Sequence, residues 1–422
     1  MPKFYNIDPE TCSKEDLVNA INECKLKEEY YHTMEQSCKV FINSQYGALA
    51  NSFYNCSNVN IAESITLQGQ DLIKYSVCVV NKYFNEIWNT DTAAHENIAA
   101  YMKEKFPEFD VNQFLVNAKN KVLINNALHT LQIYGDTDSA YITLQPLIES
   151  CQIPLEMETR FVIAVNKFVL DGYLDDMFTK YAHNFNCKEN LEKFELEKVA
   201  RSVIMLAKKK YIMDISWKEG GKDGVYLNPL HSTVIKGIEV IQGATPGFCR
   251  KAMMEFIYFV LEKVDANEKI SYDAIIKKLK DIKQRFMIQS PNEICKSFKL
   301  SDYEKYIKDD KKSLELFAGV TCPIHVRGAA IYNNMLYNSA KKYKTKYNFI
   351  KKGDKVKFYY VDGSNGADVF SFIPNEFPME FAPKMDYDMQ FNKMILDPLN
   401  RIIQAVGFQP VPVTLTYSPS LW

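Results

Sequence analysis

Apolar side chains recur at helical spacing through residues 12 to 50, at Leu17, Ile21, Leu26, Tyr30, Met34, Val40 and Phe41. That period predicts a helix. Ser13 ahead of Glu15 and Asp16 predicts its start, a capping hydroxyl followed by acids at the positive end of the helix dipole. A second helical run covers 60 to 88, with Ile61, Ile65, Leu72, Ile73, Val77, Val80 and Tyr83. Residues 89 to 127 lose the pattern. They are polar, with Pro107 and charge clustered at Lys103, Glu104, Lys105 and Glu108, and read as an excursion. Two runs that suit strands, 131 to 134 and 140 to 144, then flank Gly135, Asp136, Thr137, Asp138 and Ser139, which predicts a tight hairpin.

Residues 155 to 180 are amphipathic helix again, on Phe161, Val162, Val165, Phe168, Val169 and Leu170. Alternation in Phe194-Glu195-Leu196-Glu197-Lys198-Val199 predicts a half-buried strand. Residues 204 to 213 predict a strand entering and leaving a basic hairpin at Lys208, Lys209 and Lys210. Thr245 as cap with Pro246 at the first helical position starts a mainly helical stretch to 317, dense in lysine. Cys322-Pro323-Ile324-His325-Val326-Arg327-Gly328 breaks it; 355 to 361 alternates as a strand; 388 to 406 is helix, kinked near Pro398. The tail from Val411 to Trp422, with Pro412 and Pro419, is expected to be mobile.

Composition narrows the class. The 422 residues are 47% hydrophobic and 24% charged, enough for a sizeable core and two or three domains. A formal net charge of −1 does not announce a nucleic-acid partner, so any basic surface must be local. Ten cysteines without a CxxC pair, beside six histidines, lack zinc spacing and fit a reducing cytosol. No signal peptide is evident, and no apolar run reaches the roughly eighteen residues of a membrane span.

Three patterns carry chemistry. Asp136 and Asp138, two positions apart and flanked by strands, offer hard oxygen donors for Mg²⁺, which favours carboxylates together with substrate phosphates; ordinary turn chemistry uses the same residues. Lys39, Asn43 and Tyr46 fall at i, i+4 and i+7 of one helix face. They read either as a face for a triphosphate and a base pair, or as a solvated lysine with Asn and Tyr closing the helix at Gly47. Lys208, Lys209 and Lys210 beside Tyr211 suit backbone phosphates of a duplex, or form a solvated turn. His325 has no second ligand at metal spacing and reads as structural.

Together these stretches resemble the B-family DNA polymerases. Lys39-x-x-x-Asn43-Ser44-x-Tyr46-Gly47 is similar to motif B, Tyr134-Gly135-Asp136-Thr137-Asp138-Ser139 to motif C, and Lys208-Lys209-Lys210-Tyr211 to the KKxY motif, in the family's order. Residues 237 to 239, Thr245-Pro246, 322 to 328 and the helical ending resemble the T-even-type bacteriophage replicative polymerases. The likeness runs from about 30 to 410 and is weakest over 89 to 127, which looks like an insertion. It implies an α+β right-hand fold: partial fingers with one helix (1–51), a palm with an antiparallel sheet and packed helices (52–244), and a mainly helical thumb with a tail (245–422). It implies that Asp138 is the main metal ligand, with Asp136 and Glu197 close to two Mg²⁺ ions. Lys39 would meet the incoming dNTP, Asn43 would line its pocket, and Tyr46 would press on the nascent pair. Lys208, Lys209, Lys210 and Tyr211 would hold primer-template DNA. The implied reaction is two-metal nucleotidyl transfer to a primer 3′ end.

Motif A, D-x-x-S-L-Y-P, is absent; Asp214-Ile215-Ser216 stands on the wrong side and lacks Tyr-Pro. The second fingers helix and the exonuclease acids are also missing, since Asp8-Pro9-Glu10 has no room for a nuclease around it. The expectation is therefore one half of a polymerase split within the fingers, Met1 and the polar lead-in fitting a natural start, with a second chain supplying motif A and the exonuclease; a fragment excised from one long polypeptide is the other reading of the same gap. The alternative is a non-catalytic DNA-binding or scaffold subunit on a decayed polymerase fold. Leu415, Tyr417, Leu421 and Trp422 are a candidate plug for a sliding clamp. The resemblance places the protein, with no membrane partner, in the cytoplasm of an infected bacterial host.

Overall fold

The computed structural model describes residues 12–122, 130–136, 139–220, 224–227, 232–266, 268–311, 315–316, 321–363 and 367–416. The chain divides into two units, residues 1–153 with 167–193, and residues 154–166 with 194–422. Helices and antiparallel sheets are both present, an α+β architecture.

The first unit begins with α1 (Lys14–Ala50), started as expected by Ser13, whose hydroxyl accepts from the Asp16 amide at 3.2 Å. None of its residues is buried. α2 (Val59–Lys82) is capped by Asn58 and buries Ala62, Ser76, Val79 and Val80. It continues into a π-helical turn, Tyr83–Ile87, that drives Tyr83 and Phe84 into the core beside Trp88.

The expected polar excursion is a packed element instead. Helices α3 (Thr92–Lys105) and α4 (Val111–Asn117) are capped by Asp91 and Asp110 and bury Ile98, Met102, Phe109 and Phe114. Its charged residues face outward, so composition hid an apolar side spread over two short helices. Strands β1 (Gln132–Asp136) and β2 (Ser139–Ile142) form the predicted hairpin, and α5 (Gln145–Cys151) follows. The helical run expected over 155 to 180 is interrupted: α6 (Glu158–Val165), a π segment Asn166–Leu170, then α7 (Asp171–Asn184). α7 packs on α2 in the first unit, where Tyr181 donates to Asp71 at 2.6 Å and Tyr75 to the Met177 carbonyl at 3.2 Å.

The second unit holds a sheet of β3 (Lys198–Ala207), β4 (Lys210–Lys218), β5 (Val225–Tyr226) and β6 (Thr233–Lys236). β4 pairs antiparallel with β3 on one side and with β5 and β6 on the other. Its far end is tied to α6 by Thr159, which donates to Ser216 at 2.9 Å. The strand expected from residue 194 starts only at Lys198, where the ladder opens with Lys198 opposite Lys218. α8 (Gly247–Asp265) takes Pro246 as its cap rather than Thr245, whose hydroxyl turns back to the Glu239 carbonyl at 2.5 Å. α8 and α9 (Tyr272–Met287) contribute Phe256, Ile257, Leu279 and Phe286 to one apolar core. The stretch to 317 is less helical than expected, since β7 (Lys296–Lys299) joins a second antiparallel sheet.

That sheet runs β9 (Val369–Phe372), β8 (Lys355–Tyr360), β7. The segment 322 to 328 does not only break the helical run; Pro323 caps α10 (Ile324–Asn338), which lies on β9. Gly328 permits that approach, since a Cβ there would meet Ser371 Oγ at 2.5 Å and Ser371 N at 2.9 Å. The ending is broken as expected, with a π segment Asn392–Leu396 before α11 (Asp397–Ala405), which opens with Pro398. The start of the expected mobile tail is packed: Val411 is buried and exchanges both backbone bonds with Asn400, at 2.8 and 3.0 Å.

Two buried polar residues give measurable consequences. Asn333 is 2% exposed and ties Tyr303 (3.1 Å), Asp310 (2.5 Å) and both backbone groups of Ile350 (2.9 and 2.8 Å). Asn333→Ala strands several buried groups and should cost about 2–4 kcal/mol, read as a lower urea midpoint at unchanged slope. His95, 1% exposed, sits at 4.6 Å from the Trp88 ring with neither ring nitrogen bonded to a side chain. Burial holds its pKa below 6.5, with Lys119 acting the same way and the Trp88 backbone and Asp91 acting against it. A base whose folded pKa is depressed takes up protons on unfolding, so stability should fall as pH drops below about 6.5. His95→Phe should remove that component of the pH dependence, followed by thermal melts between about pH 5 and pH 8.

Candidate functional site

The acidic hairpin is set by register. Asp136 pairs with Ser139, Gly135 with Ala140 and Tyr134 with Tyr141. The Ser139 hydroxyl donates to the Asp136 carbonyl at 3.1 Å across the loop mouth, and the rings of Tyr134 and Tyr141 sit 5.1 Å apart across the strands. α2 holds the hairpin from behind. Ser76 donates to the Gln132 amide oxygen at 3.0 Å. Asn81 donates to the Thr130 hydroxyl at 2.7 Å and accepts from the Leu131 amide at 2.9 Å. A Cβ on Gly135 would stand 3.1 Å from Ile73 Cγ2, so the strand lies against the helix. The Asp136 side chain is half-buried on this platform. Thr137 and Asp138 lie outside the described residues. Ser76, Asn81 and Gln132 carried no sequence signal beyond polar letters inside apolar runs.

Lys39, Asn43 and Tyr46 lie on α1 at the expected helical spacing, all exposed. The helix runs through Gly47 to Ala50 with Asn51 as its C-cap, so Asn43 and Tyr46 do not close it.

In the second unit, Lys208 and Lys209 form the turn between β3 and β4, exposed, with Lys210 opening β4. Tyr211 is only 8% exposed, held in mid-sheet opposite Met205 and Lys236. Lys209 adopts φ +62°, a region that costs a side-chain-bearing residue about 1 kcal/mol or more. Glu197 precedes β3. Its side chain is 78% exposed, 3.7 Å from Lys198, and its carbonyl accepts from the Glu219 amide at 2.8 Å. Asp136, Lys39, Asn43 and Tyr46 thus belong to one unit, and Glu197 with Lys208, Lys209, Lys210 and Tyr211 to the other. Among the described residues no three His, Cys, Asp or Glu gather as a metal site, and no helix is long and apolar enough to cross a membrane. The donor that the hairpin offers suits a hard divalent cation in kind, a carboxylate, but not in number.

Residues 13–171 match the family model of DNA polymerase family B, a span that holds both the 39-to-46 stretch and the acidic hairpin. The chain is 22% identical over 413 residues to the DNA-directed DNA polymerase of Enterobacteria phage T4, covering 93% of this chain and 39% of that protein. It is 23% identical over 318 residues to the DNA-directed DNA polymerase of Escherichia phage RB69, covering 72% and 29%. A DNA polymerase of Choristoneura biennis entomopoxvirus is 26% identical over 191 residues, covering 44% and 17%. The chain is thus similar to a B-family, T4-like polymerase region, and spans no more than 39% of the length of these relatives.

The strained turn has a direct test. Lys209→Gly should raise stability by about 0.5–1 kcal/mol in urea unfolding, because glycine takes the left-handed conformation freely.

Proposed function

We propose that this chain is the motif B, motif C and thumb portion of a DNA-directed DNA polymerase that extends a primer 3′ end with dNTPs by two-metal phosphoryl transfer. One observation carries the reading. The B-family match over residues 13–171 contains a hairpin that ends in Asp136 and is braced by α2. The subdomains are fingers over 1–51, palm over 52–244 and thumb over 245–422. The weak-likeness stretch 89 to 127 adds α3 and α4 to the palm.

Asp138 and Asp136 are the carboxylates that would hold Mg²⁺, with Glu197 nearby. Bound there, the ions would acidify the primer 3′-hydroxyl and neutralise charge on the leaving pyrophosphate. Lys39 binds the triphosphate as a point charge, and Asn43 lines the pocket beside it. Tyr46 packs its ring against the nascent base pair and tests its width. Lys208, Lys209 and Lys210 neutralise backbone phosphates, which positions primer and template without reading sequence. Tyr211, nearly buried, supports the strand that carries them.

The acidic hairpin alone holds two ions poorly, so in this reading a further acid of the motif A type completes the set. We place it on a second polypeptide, together with the other fingers helix and the exonuclease. α1 supports this: it buries none of its 37 residues and exposes Leu26, Tyr30, Val40 and Phe41. A tail beginning at Leu415 reaches a sliding clamp in this reading.

Primer extension by the chain with its complementing polypeptide tests the assignment. Asp138→Ala should lower synthesis at least about a hundredfold while DNA binding persists. Retained synthesis would instead mark a scaffold. Full-rate extension by the 422-residue chain alone would remove the need for a partner.

A further inference from the structure

The lysine turn is not held by its own hairpin alone. β6 runs beside β4 with Lys236 opposite Tyr211, and the chain then bends at Gly237, φ +65°. A Cβ on Gly237 would collide with the Lys209 carbonyl and stand 3.1 Å from Lys210 Cγ. Two left-handed residues, Lys209 and Gly237, therefore meet backbone to side. Observed strain of this kind marks a conformation that its surroundings impose. The surroundings are legible here. Two residues on, Glu239 receives Arg401 of α11 at 2.5 Å, and its carbonyl accepts the Thr245 hydroxyl at 2.5 Å. The Ile241 and Gln242 amides close the loop onto the Ile238 and Glu239 carbonyls, at 3.2 and 3.1 Å. Ile238 and Val240 are buried in the unit's core, so the loop cannot drift. Burial opposes ionisation of Glu239, but its own backbone amide and Arg401, with Lys210 close by, hold its carboxyl below the ordinary range. The acid thus stays charged beside the lysine turn.

We propose that residues 237 to 239, locked by Arg401, are a positioning element: they impose the left-handed conformation on Lys209 and so aim the lysine turn at its phosphates, touching no nucleic acid themselves. This rests on the reading of Lys208 and Lys209 as phosphate contacts. Gly237 is required because any side chain would push the Lys209 carbonyl away. Arg401 is required because it fixes Glu239 from a helix distant in sequence.

The test uses the full chain and a fluorescent primer-template duplex, with affinity measured against salt. The Lys208→Ala/Lys209→Ala double variant should weaken binding and flatten the salt dependence by about two phosphate contacts. If it does neither, the phosphate reading fails and the positioning role fails with it. Given that loss, Gly237→Ala and Arg401→Gln should each weaken binding about five- to tenfold and add nothing further on the double-alanine background. Trypsin should also cut wild-type-lysine versions of both variants at the turn at least about threefold faster than the parent, a readout independent of DNA. Arg401→Lys should keep near-parental affinity. Unchanged affinity in Arg401→Gln, or losses that add in full to the double-alanine loss, would overturn the positioning role alone. Should Gly237→Ala not fold, Arg401→Gln carries the test, since its side chain is half exposed and its melting temperature should stay within about 3 °C of the parent.

Discussion

A hairpin can aim a side chain only if its register is locked, because a slip of one residue turns every side chain to the opposite face. Both turns to which the proposed function assigns chemistry are hairpin turns, and both are locked from behind rather than by their own loops. The acidic hairpin is short, with strands of five and four residues. Two-stranded ribbons of that length are marginal in water. Its register comes from α2, where Asn81 satisfies one backbone and one side-chain group of the strand approach and Ser76 fixes Gln132. The basic hairpin is longer and sits within a four-stranded sheet, so its strands are secure and its turn is the weak point. There the bracing is steric, through Gly237.

The two braces differ in the way that the proposed cargoes would require. A carboxylate that must share a cation needs a fixed origin, and a helix bonded to the strand supplies one. Lysines that neutralise phosphates act as long, mobile point charges, and only the backbone beneath them can be fixed. Lys209 shows that division: its backbone is held at a left-handed φ while the residue stays exposed. With a formal net charge of −1, any basic surface has to come from local placement of this kind.

Features governed by local physics were legible in the sequence. Ser13 capping α1, the hairpin around Asp136 and the strands flanking the lysine turn all follow from neighbours in the chain. Features governed by tertiary contact were not. α3 and α4 looked like a polar excursion because Ile98, Met102 and Phe114 are diluted among charges, and their apolar side shows only in the fold, where His95 of α3 meets the rings of Trp88 and Phe114. Residues 194 to 197 alternate like a strand, yet the ladder with the neighbouring strand begins at Lys198, opposite Lys218. Thr245 reads as a cap, yet its hydroxyl serves Glu239. For the candidate site, the letters of the motifs could be read directly, whereas Asn81, Gly237 and Arg401 could not, because their importance lies in what they approach.

The donor count then limits what the acidic hairpin can do. A divalent ion of the magnesium type takes six oxygens, and carboxylates supply the charge that draws it from water. Asp136 and Asp138 together offer two such groups, and two ions would have to share them. A third carboxylate from elsewhere adds donors, but also charge, and becomes favourable only when cation and triphosphate arrive together. A site of that composition assembles on its substrate rather than before it. Under the proposed function a braced hairpin is the useful contribution of the present chain: it would hold one side of the cradle still while the remaining donors close on it.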